Sequence, residues 1–444
     1  MWDGAYRKNT PRKAGLVVNV GAEEVSGVPE EMVPATVPEL ARFLATNSQG
    51  DRSPVLPVGG RTSLGFGFAA DPASLVVATS RLDRVIDYPA RDMTVTVEAG
   101  CRVATLQELL RSENQRLPVD VPQAHRATLG GAIVSDAAGP RRYGMGTLRD
   151  YVIGIGCVTV DGQRFKAGGR VVKNVAGYDL CKLMVGSGGT LAVVAEVTLK
   201  LKPLPASSAM GWGCFDQGEV VQDLLSDLAV SRARPVAIEL LGPKAGRQLA
   251  AESRQDLPVG PLLLGVGLEG SDDEVSWQVD VVDRELRLGG AGEVVWVRGA
   301  ETKKMWSSLT DFQVGGEPPV TIRAVLKPSR TVEFVQAAID SGVSVQAHAG
   351  SGVVHGHLPD EAVDAGHANS LIESLRELAA ESGGQVIVER CEMDWAGQLS
   401  LWGEGRNDWP LMEAVKREFD PEGLLSPGRG IDGARACMSE VGHD

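Results

Sequence analysis

Glycine is distributed unevenly along this chain of 444 residues, and that distribution constrains the fold more than any other feature of the sequence. The chain holds 54 glycines, about 12% of its residues, against a usual share of roughly 7%. Residues 71–120 contain a single glycine, Gly100, whereas residues 121–190 contain fourteen. There is no Gly-X-Y period and no long Gly/Ser tract, which excludes collagen and a flexible linker. Glycine concentrated between apolar runs predicts backbone that turns tightly or closely approaches another group.

The charge balance excludes several classes of partner. Lys and Arg total 44 and Asp and Glu total 58, so the net charge is -14. An acidic chain repels nucleic acid and anionic membrane surfaces, and the one small basic cluster, Arg7–Lys13, is expected to be a solvated tail. No apolar run approaches the roughly 20 residues that span a bilayer, and no secretory signal is expected. We therefore expect a cytoplasmic protein that binds no nucleic acid and has no transmembrane segment.

The cysteines predict no metal centre of their own. None of them forms a C-x-x-C pair, which argues against an iron–sulfur cluster or a cysteine zinc site held by this chain. In a reducing cytoplasm most of them are expected to be small buried apolar residues. The six are Cys101, Cys157, Cys181, Cys214, Cys391 and Cys437.

Hydrophobic patterning predicts an α+β protein with a boundary near Pro203 and Pro205. In the first half it predicts helices over 36–44, 103–114 and 179–185, strands over 54–58, 75–79, 94–98, 151–160 and 191–201, and a hairpin turn at 161–162. In the second half it predicts strands over 237–241, 262–267, 294–297, 320–326, 343–347 and 352–357, with helices over 219–230, 272–288, 331–341, 360–380 and 407–419. The second half is expected to be an antiparallel sheet covered on one face.

The first glycine cluster, Pro57–Gly65, directly follows a predicted strand. Small residues in succession leave several backbone N–H groups free to point one way, which favours binding of an anion such as a pyrophosphate. The segment is neither a P-loop nor a G-x-G-x-x-G motif. Taken alone, it is equally compatible with a plain glycine turn.

Two further clusters follow. Residues 122–146 contain a glycine turn and then a helix of small residues, against whose backbone a flat group can lie. Residues 168–201 contain a tight glycine turn at 186–189 that leads into a long strand.

These clusters, in this order and spacing, resemble the FAD-binding domain of the vanillyl-alcohol oxidase/PCMH flavoprotein family over roughly residues 30–205. The stretches that carry the resemblance are PVGGRTSLG, ATLGGAIVSDAAGPRRYGMGTLRDYVIGI and GGRVVKNVAGYDLCKLMVGSGGTLAVVAEVTLKLKP. The last is particularly similar to the FAD-binding E subunit of bacterial glycolate oxidase, and the ending FDPEGLLSPGRG also resembles the family. The resemblance implies an N-terminal segment (1–30), a PCMH-type FAD-binding domain of two α/β subdomains (31–205), a ferredoxin-like α+β FAD-linked oxidase C-terminal domain (206–430) and a tail (431–444).

The resemblance also implies a role for each matching residue. Gly59 to Ser63 would hold the FAD pyrophosphate through backbone N–H groups. Because Arg61 stands where covalently flavinylated members often carry histidine, non-covalent FAD is expected. The implied cofactor residues are Pro57, Val58, Gly59, Gly60, Arg61, Thr62 and Ser63 at the pyrophosphate; Pro122, Thr128, Gly130 and Gly131 along the middle and flavin end; Ser135, Gly139, Tyr143 and Gly144 continuing that wall; and Gly189, Thr190 and Val194 on the adenine side.

Oxidation of a 2-hydroxy acid needs a cation for the carboxylate, a base for the hydroxyl proton and a hydride acceptor. The segment from His348 to His355 resembles the H-x-G-x-G-x-x-H motif of D-2-hydroxy-acid dehydrogenases in the same family, in which two histidines and a glutamate bind a divalent metal. The implied set is His348, His355 and Glu389, with Glu392 as second choice, a combination that suits zinc or manganese. The alternative is that both histidines lie in strands, satisfied by hydrogen bonds.

Two departures from that motif weaken the implied site. Arg390 stands where those dehydrogenases carry a histidine base, and Leu309, three residues after Trp306, stands where they tend to carry an arginine. The candidate cations for the substrate carboxylate are Arg323, Lys327 and Arg390, although such residues are commonly surface charges. The other histidines, His125, His367 and His443, are isolated, and core or surface roles are expected for them.

Three functions remain open on the sequence. The favoured one is the FAD-binding subunit of a glycolate-oxidase-like complex, which oxidises glycolate or a related 2-hydroxy acid beside a second flavin subunit and an iron–sulfur subunit. Such partners would hold it at the inner face of the membrane. The alternatives are a free-standing FAD-dependent D-2-hydroxy-acid dehydrogenase with a divalent metal, and a non-enzymatic assembly subunit with a decayed flavin site. The intact glycine loops argue against the last.

Overall fold

The computed structural model describes residues 31–67, 73–169, 178–316, 318–360 and 364–431. The predicted N-terminal segment, almost all of the predicted tail and residues 170–177 of the third glycine cluster lie outside the described residues, as do Cys437 and His443. No helix in the described ranges combines the length and apolar character needed to cross a membrane.

Strands and helices alternate along both halves. The strands are β1 (Val55–Val58), β2 (Leu75–Ala78), β3 (Val85–Asp87), β4 (Thr94–Glu98), β5 (Gln115–Arg116), β6 (Val152–Val158), β7 (Arg164–Gly168), β8 (Val193–Lys200), β9 (Lys202–Pro203), β10 (Ser207–Phe215), β11 (Ala237–Leu241), β12 (Leu262–Gly270), β13 (Val294–Arg298), β14 (Val320–Val325), β15 (Ser344–His348), β16 (Val353–His357) and β17 (Gln385–Cys391). The α-helices are α1 (Val37–Gln49), α2 (Val103–Ser112), α3 (Leu129–Ser135), α4 (Arg142–Met145), α5 (Leu148–Tyr151), α6 (Leu180–Met184), α7 (Gly218–Ala229), α8 (Pro243–Ser253), α9 (Asp272–Leu288), α10 (Thr302–Asp311), α11 (Thr331–Asp340), α12 (Ala365–Ala380) and α13 (Trp409–Phe419).

The larger part of the first half is an antiparallel sheet of order β3-β4-β8-β6-β7. Helix α2 buries Val103, Leu106 and Leu110 against it, a spacing that places all three on one helical face. The hairpin between β6 and β7 turns at Gly162, which has φ +81°. This confirms the turn that Asp161-Gly162 predicts.

A smaller subdomain stands beside this sheet. Strands β1 and β2 pair in parallel, and helix α1 packs Leu40 and Leu44 against them. The Thr36 side chain caps α1 by accepting a hydrogen bond from the Glu39 N–H. The first half thus contains the two α/β subdomains that the sequence resemblance implies.

The second half is built on one antiparallel sheet of order β13-β10-β12-β11-β15-β16-β14-β17. Helices α7, α9, α11 and α12 pack on one face, as predicted. Helices α8 and α10 cover part of the other face, which differs from the expected single covered face. The reason is that the central strand β12 is apolar on both sides: Leu264 faces the first helix layer and Leu263 faces the second.

Patterning missed the central strand β10 because Gly211 and Gly213 interrupt it, and glycine weakens a strand pattern. The structure explains the first of these glycines. A Cβ on Gly211 would lie 2.6 Å from the Trp296 ring, so only glycine leaves room for the indole. Gly265 on the neighbouring strand makes room for Trp212 in the same way, at 2.4 Å.

The end of the chain returns to the first half. Val415 and Phe419 pack against the core of the larger sheet, and Leu425 forms a parallel bridge with Val55 of β1. The final part of the predicted second domain, which runs to residue 430, therefore packs against the first half. These last residues complete the small sheet, a contact between sequence-distant segments that local patterning does not reveal.

Candidate functional site

The first glycine cluster forms a tight loop after β1. A Cβ on Gly59 would lie 2.0 Å from Thr128 Oγ1, and one on Gly60 would lie 1.9 Å from the Arg126 carbonyl oxygen. No larger residue fits at either position, because these distances are far below van der Waals contact. The loop therefore packs directly on the segment that leads into α3, which brings the first and second glycine clusters together.

The backbone of this loop offers unused donors. Within the described part of the chain, the N–H groups of residues 59–63 donate no hydrogen bond. Arg61 has φ 57°, in the left-handed region, a conformation that turns successive N–H groups toward one point. Its guanidinium is held 2.8 Å from the Glu31 carboxylate. A run of free N–H groups with one left-handed residue is a suitable cradle for a pyrophosphate.

A cavity of about 640 Å³ opens beside the loop. Gly59, Gly60 and Thr128 line it, so it is continuous with the contact just described. Its remaining lining includes three basic side chains against one carboxylate, which favours an anionic group. They are Arg102, His125 and Arg126, with Asp83, Ser80, Gly100, Cys101 and Thr105 completing the wall.

The second cluster is fixed by α3. Thr128 caps the helix by accepting a hydrogen bond from the Gly131 N–H at 3.3 Å. Gly130 donates its own N–H to Ala99 O at 2.7 Å, and a Cβ on Gly130 would lie 2.9 Å from the Ala99 Cβ. Gly130 is therefore a packing glycine whose N–H is already occupied.

The third cluster meets the other end of α3. The Gly186 and Gly188 N–H groups donate to Ile133 O and Val134 O, at 2.9 and 2.7 Å. Gly189, with φ +72°, has no atom closer than 3.9 Å to a Cβ built on it. The turn thus follows the C-terminal end of α3 and leaves open space at Gly189. All three glycine clusters meet around this one short helix.

The remaining predicted cofactor residues lie on two sides of this assembly. Pro122 is buried, and the Thr190 hydroxyl donates a hydrogen bond to Ser187 O at 2.8 Å. Val194 lies in the hydrophobic core of the larger sheet. Ser135 donates its hydroxyl to Gly131 O at 2.9 Å, within α3. Their contacts with a cofactor stay predictions.

The segment 139–144 lies against the sheet of the second half. Gly144 N–H donates to Val236 O at 3.0 Å, and Gly139 approaches the hydroxyl of Thr310. The Tyr143 ring packs on Gly350, where a Cβ would lie 2.4 Å from the ring. The predicted flavin wall is therefore in direct contact with the turn between the two predicted metal histidines.

Facing this wall, the sheet carries a polar surface that we call the polar face. Alternate residues of its strands point there, while their neighbours point into the apolar helix layer. His348 stands opposite Glu239, and His355 stands opposite Arg323. The members of the polar face are Glu239, Thr321, Arg323, Gln346, His348, His355, His357, Glu389 and Arg390.

Glu239 and His348 form a buried pair. His348 Nδ1 lies 2.8 Å from Glu239 Oε1, and the Gln346 amide donates to Glu239 Oε2 at 2.9 Å. Burial raises the pKa of Glu239 above its usual range, although His348 and Gln346 act in the opposite direction. The pair fixes the orientation of the His348 ring, whose Nε2 has no hydrogen-bond partner among the described residues.

Arg323, His355 and Glu389 form a second cluster. Arg323 Nε lies 3.0 Å from Glu389 Oε1, and His355 Nδ1 lies 3.4 Å from Glu389 Oε2. Burial alone would raise the pKa of Glu389, but Arg323, His355 and Arg390 outweigh it and lower that pKa to about 2. Burial lowers the pKa of His355. Near neutral pH the cluster is therefore an anionic carboxylate beside a neutral imidazole.

A β-bulge brings both Glu389 and Arg390 to the polar face. Thr321 pairs with Arg390 and Ile322 pairs with Val388, so Glu389 has no opposite residue. The aliphatic part of Arg390 approaches Gly65 of the first loop, where a Cβ would lie 3.1 Å from the Arg390 Cγ.

Lys327, the third candidate cation, lies apart from this cluster. It is exposed at the start of the 3-10 turn Pro328–Arg330.

His355 lies close to both other members of the predicted metal set: its ring centroid is 5.5 Å from that of His348, and its Nδ1 is 3.4 Å from Glu389 Oε2. Among the residues that the structure describes, no three His, Cys, Asp or Glu side chains are arranged to hold a metal ion. The Glu239 contact at His348 Nδ1 leaves Nε2 of that ring without a partner among the described residues, which is compatible with a ligand role, but the Arg323 guanidinium pairs with Glu389. The pairing of Glu389 with Arg323 disfavours zinc or manganese at this place, and a metal at His348, His355 and Glu389 stays a prediction for metal analysis.

Sequence reasoning missed two charged residues between the wall and the polar face. Asp136 ends α3 with φ 50°, and burial raises the pKa of its carboxyl. Burial and then Arg323 lower the pKa of Arg142, whereas Asp136 and Glu239 act in the opposite direction. Within the described residues, the Arg142 side chain makes no hydrogen bond or ion pair. Arg142 is therefore a partly buried cation without a direct partner.

Glu239 was also missed, although its position was informative. A single carboxylate inside the apolar strand AIELL is unusual, because charged residues are rarely buried without a partner. For Arg142 the sequence holds no comparable indication, since it adjoins a second arginine in a glycine-rich segment.

Comparison with known proteins agrees with this architecture. Residues 31–168 match the family model described as "FAD binding domain", and residues 204–429 match "FAD linked oxidases, C-terminal domain". The chain is 38% identical over 396 residues to a D-2-hydroxyglutarate dehydrogenase of Xanthomonas citri, covering 84% of this chain and 83% of that one. It is 25% identical over 431 residues to glycolate oxidase subunit GlcD of Bacillus subtilis, covering 91% and 90%.

A shorter match and a solved structure complete the comparison. Glycolate oxidase subunit GlcE of Escherichia coli is 33% identical over 189 residues, which cover 42% of this chain and 52% of that subunit. The crystal structure of p-cresol methylhydroxylase with substrate bound superposes with a TM-score of 0.68 at 16% identity, covering 90% of this chain and 88% of that one. At that identity the likeness concerns the fold alone.

Proposed function

This chain belongs to the family of FAD-linked oxidases with an FAD-binding domain, and from that premise we propose that it is the FAD-binding subunit of a glycolate-oxidase-like complex. It would oxidise glycolate or a related 2-hydroxy acid and pass the electrons to a partner iron–sulfur subunit. The observation that carries the proposal is the polar face, which holds cations and imidazoles opposite the 139–144 segment beside the glycine loops.

The loop residues fit the cofactor's pyrophosphate. The free N–H groups of residues 59–63 would bind its oxygens, and the basic cavity wall with Arg102 and Arg126 adds attraction for negative charge. Bound FAD supplies the acceptor for the hydride that leaves the substrate.

The substrate carboxylate would be held by Arg142, with Arg323 as a second cation. The charge of Arg323 lowers the pKa of the Arg142 guanidinium, and an anion bound between the two cations would relieve their repulsion. Among the described residues Arg142 also has no direct partner, whereas Arg323 pairs with Glu389. A guanidinium forms charge-assisted hydrogen bonds with a carboxylate. These bonds are stronger than those that a neutral imidazole can form.

The base for the hydroxyl proton would be His355. Its lowered pKa keeps the imidazole unprotonated near neutral pH, which is the form that accepts a proton. Glu389 stays ionised beside Nδ1 and would stabilise the imidazolium formed during the reaction. This assignment gives the chain a base even though Arg390 replaces the histidine that follows the glutamate in related dehydrogenases.

Purification from the native host tests the complex directly. We expect FAD and iron to co-purify with the chain, bound to separate subunits, in a form that oxidises glycolate. Partners of this kind would also hold the chain at the inner face of the membrane. A chain that purifies alone yet turns over glycolate or D-lactate with an artificial acceptor would refute the subunit role.

A free-standing dehydrogenase is the second candidate. The match to a D-2-hydroxyglutarate dehydrogenase over 84% of the chain favours it. Assaying the isolated chain with D-2-hydroxyglutarate, D-lactate and glycolate separates the two, because only the free-standing enzyme turns over without a partner.

A further inference from the structure

Residues 416–429, which we call the C-terminal strap, connect two of the predicted cofactor loops. The strap runs beside β1, where Ser426 N–H donates to Val55 O at 2.8 Å and Val55 N–H donates to Leu424 O at 2.7 Å. Strand β1 leads straight into the 59–65 loop, so the strap forms the outer edge of the small sheet that presents this loop.

Arg429 binds the loop itself. Its guanidinium donates to three carbonyl oxygens of the loop: Leu64 O at 3.0 Å, Ser63 O at 2.9 Å and Phe66 O at 2.6 Å. Arg429 is 8% exposed, and within the described residues it pairs with no carboxylate. A buried cation satisfied by carbonyls alone is costly unless those hydrogen bonds are well formed.

The rest of the strap holds the third glycine cluster. Lys416 Nζ donates to Thr190 O at 2.8 Å and to Leu425 O at 2.9 Å, and it pairs with Asp420. Ser426 donates its hydroxyl to Gly189 O at 3.1 Å. One segment from the end of the chain therefore fixes both the loop 59–66 and the turn 189–190.

We propose that Arg429 is a positioning residue for FAD: it draws the carbonyls of residues 63, 64 and 66 to one side of the loop and so holds the N–H groups of residues 59–63 toward the pyrophosphate. Its positive charge behind the loop also favours the diphosphate. The inference rests on the proposed binding of FAD, and it assigns the affinity for that cofactor partly to a residue that lies outside the FAD-binding domain in sequence.

The test is a titration of flavin-free full-length chain with FAD, followed by quenching of flavin fluorescence. The variants are Arg429→Gln, Arg429→Lys and the control Arg247→Gln, an exposed arginine on α8 outside the strap. We expect Arg429→Gln to raise the Kd about tenfold or more, as loss of a charge-assisted contact would. Arg429→Lys should give a smaller rise, because it keeps the charge and loses the fork geometry, and Arg247→Gln should give none.

Two further measurements separate positioning from general stability. Thermal unfolding of the flavin-free variants reports whether the fold is intact, and the ³¹P signals of bound FAD report the environment of the pyrophosphate. Shifted ³¹P signals in Arg429→Lys, with unfolding like that of the parent chain, support the inference. If Arg429→Gln does not fold, Arg429→Lys decides.

The outcomes that overturn the inference are distinct from failure of the proposed function. A parent chain that binds no FAD overturns both. A parent chain that binds FAD, with an unchanged Kd and unchanged ³¹P signals in the Arg429 variants, overturns the positioning role alone.

Discussion

The guanidinium carbon of Arg141 lies 3.8 Å from the centroid of the Trp306 ring, which joins the first half of the chain to α10 of the second. Arg141 also pairs with Asp120 at 2.5 Å and with Glu269 at 2.8 Å, and Arg116 reaches the same glutamate at 2.6 Å. This buried network lies next to Arg142 and Tyr143. It therefore fixes the distance between the predicted flavin wall and the polar face.

Replacing Arg141 by leucine should strongly destabilise the chain. The change leaves Asp120 and Glu269 buried with less compensation, and breaking such a pair costs about 3–5 kcal/mol. Denaturant unfolding of the full chain measures this loss in the free energy of unfolding. The matched control is Arg287→Leu, which removes an exposed i,i+4 pair with Asp283 and should cost at most about 0.5 kcal/mol. Equal effects of the two substitutions would contradict the structural role of the network.

The same network should lose strength in acid. Burial raises the pKa of Glu269, but Arg141 and Arg116 outweigh burial and hold it below its ordinary value of 4.5. A lowered folded-state pKa contributes stability that is complete above pH 4.5 and is lost as the pH falls toward the folded-state pKa. The difference in unfolding free energy between the parent chain and Glu269→Gln should shrink over that range. A difference that stays constant from pH 7 down to pH 3 would rule this out.

Substitution of Arg142 should act on substrate binding. Removing the unpaired cation in Arg142→Met is expected to raise KM for the 2-hydroxy acid by about tenfold to a hundredfold, the usual value of a charged hydrogen bond. Flavin content should not change, because Arg142 faces the sheet and not the pyrophosphate loop. The comparison is Lys304→Met, exposed on α10. An unchanged KM in Arg142→Met would assign the carboxylate to another cation.

Replacing His355 should affect the chemical step. Without the neutral imidazole we expect kcat to fall by about 10²–10⁴, the typical contribution of a general base. His367→Gln is the control, since His367 is exposed at the start of α12. Steady-state kinetics, together with the flavin spectrum of each variant, separates loss of the base from loss of the cofactor. A kcat of His355→Gln equal to that of the parent chain would show that His355 is not the base.

Metal analysis of the purified chain should find zinc and manganese well below one equivalent. The reason is the Arg323 guanidinium, which pairs with Glu389, the carboxylate of the predicted metal set. Treatment with a chelator should leave turnover unchanged. A full equivalent of metal that disappears in His348→Ala would instead establish the metal set that the sequence motif implies.

Much of the fold was predictable because the hydrophobic pattern of many segments by itself indicates the helix or strand that they form. Strand β11 and helix α9 occur at the predicted residues, and α9 begins with a capping box at Ser271. Strand β10 was not predictable, because its glycines are explained only by tryptophans from other elements. The FAD motifs were recognisable from their resemblance to a known family, although their glycines also serve contacts with distant segments, such as that of Gly60 with Arg126.

The chemistry of the candidate site was harder to predict. The histidines and Glu389 were identified from a motif, but a bulge, which no spacing rule reveals, decides that Glu389 meets Arg323. Glu239 and Arg142 act through neighbours that are distant in sequence. Pairings of this kind depend on strand order, and strand order was the least accessible feature of the sequence.

The hydrogen bonds from Arg429 to the loop join residues 363 to 366 positions apart in the chain. During synthesis, the loop is made more than 360 residues before the arginine that supports it. The contact can form only after residue 429 has been added, so the loop lacks this support while the residues between them are synthesised. A stop codon ahead of the strap would yield a product that has every glycine of the loop and lacks the arginine that holds it.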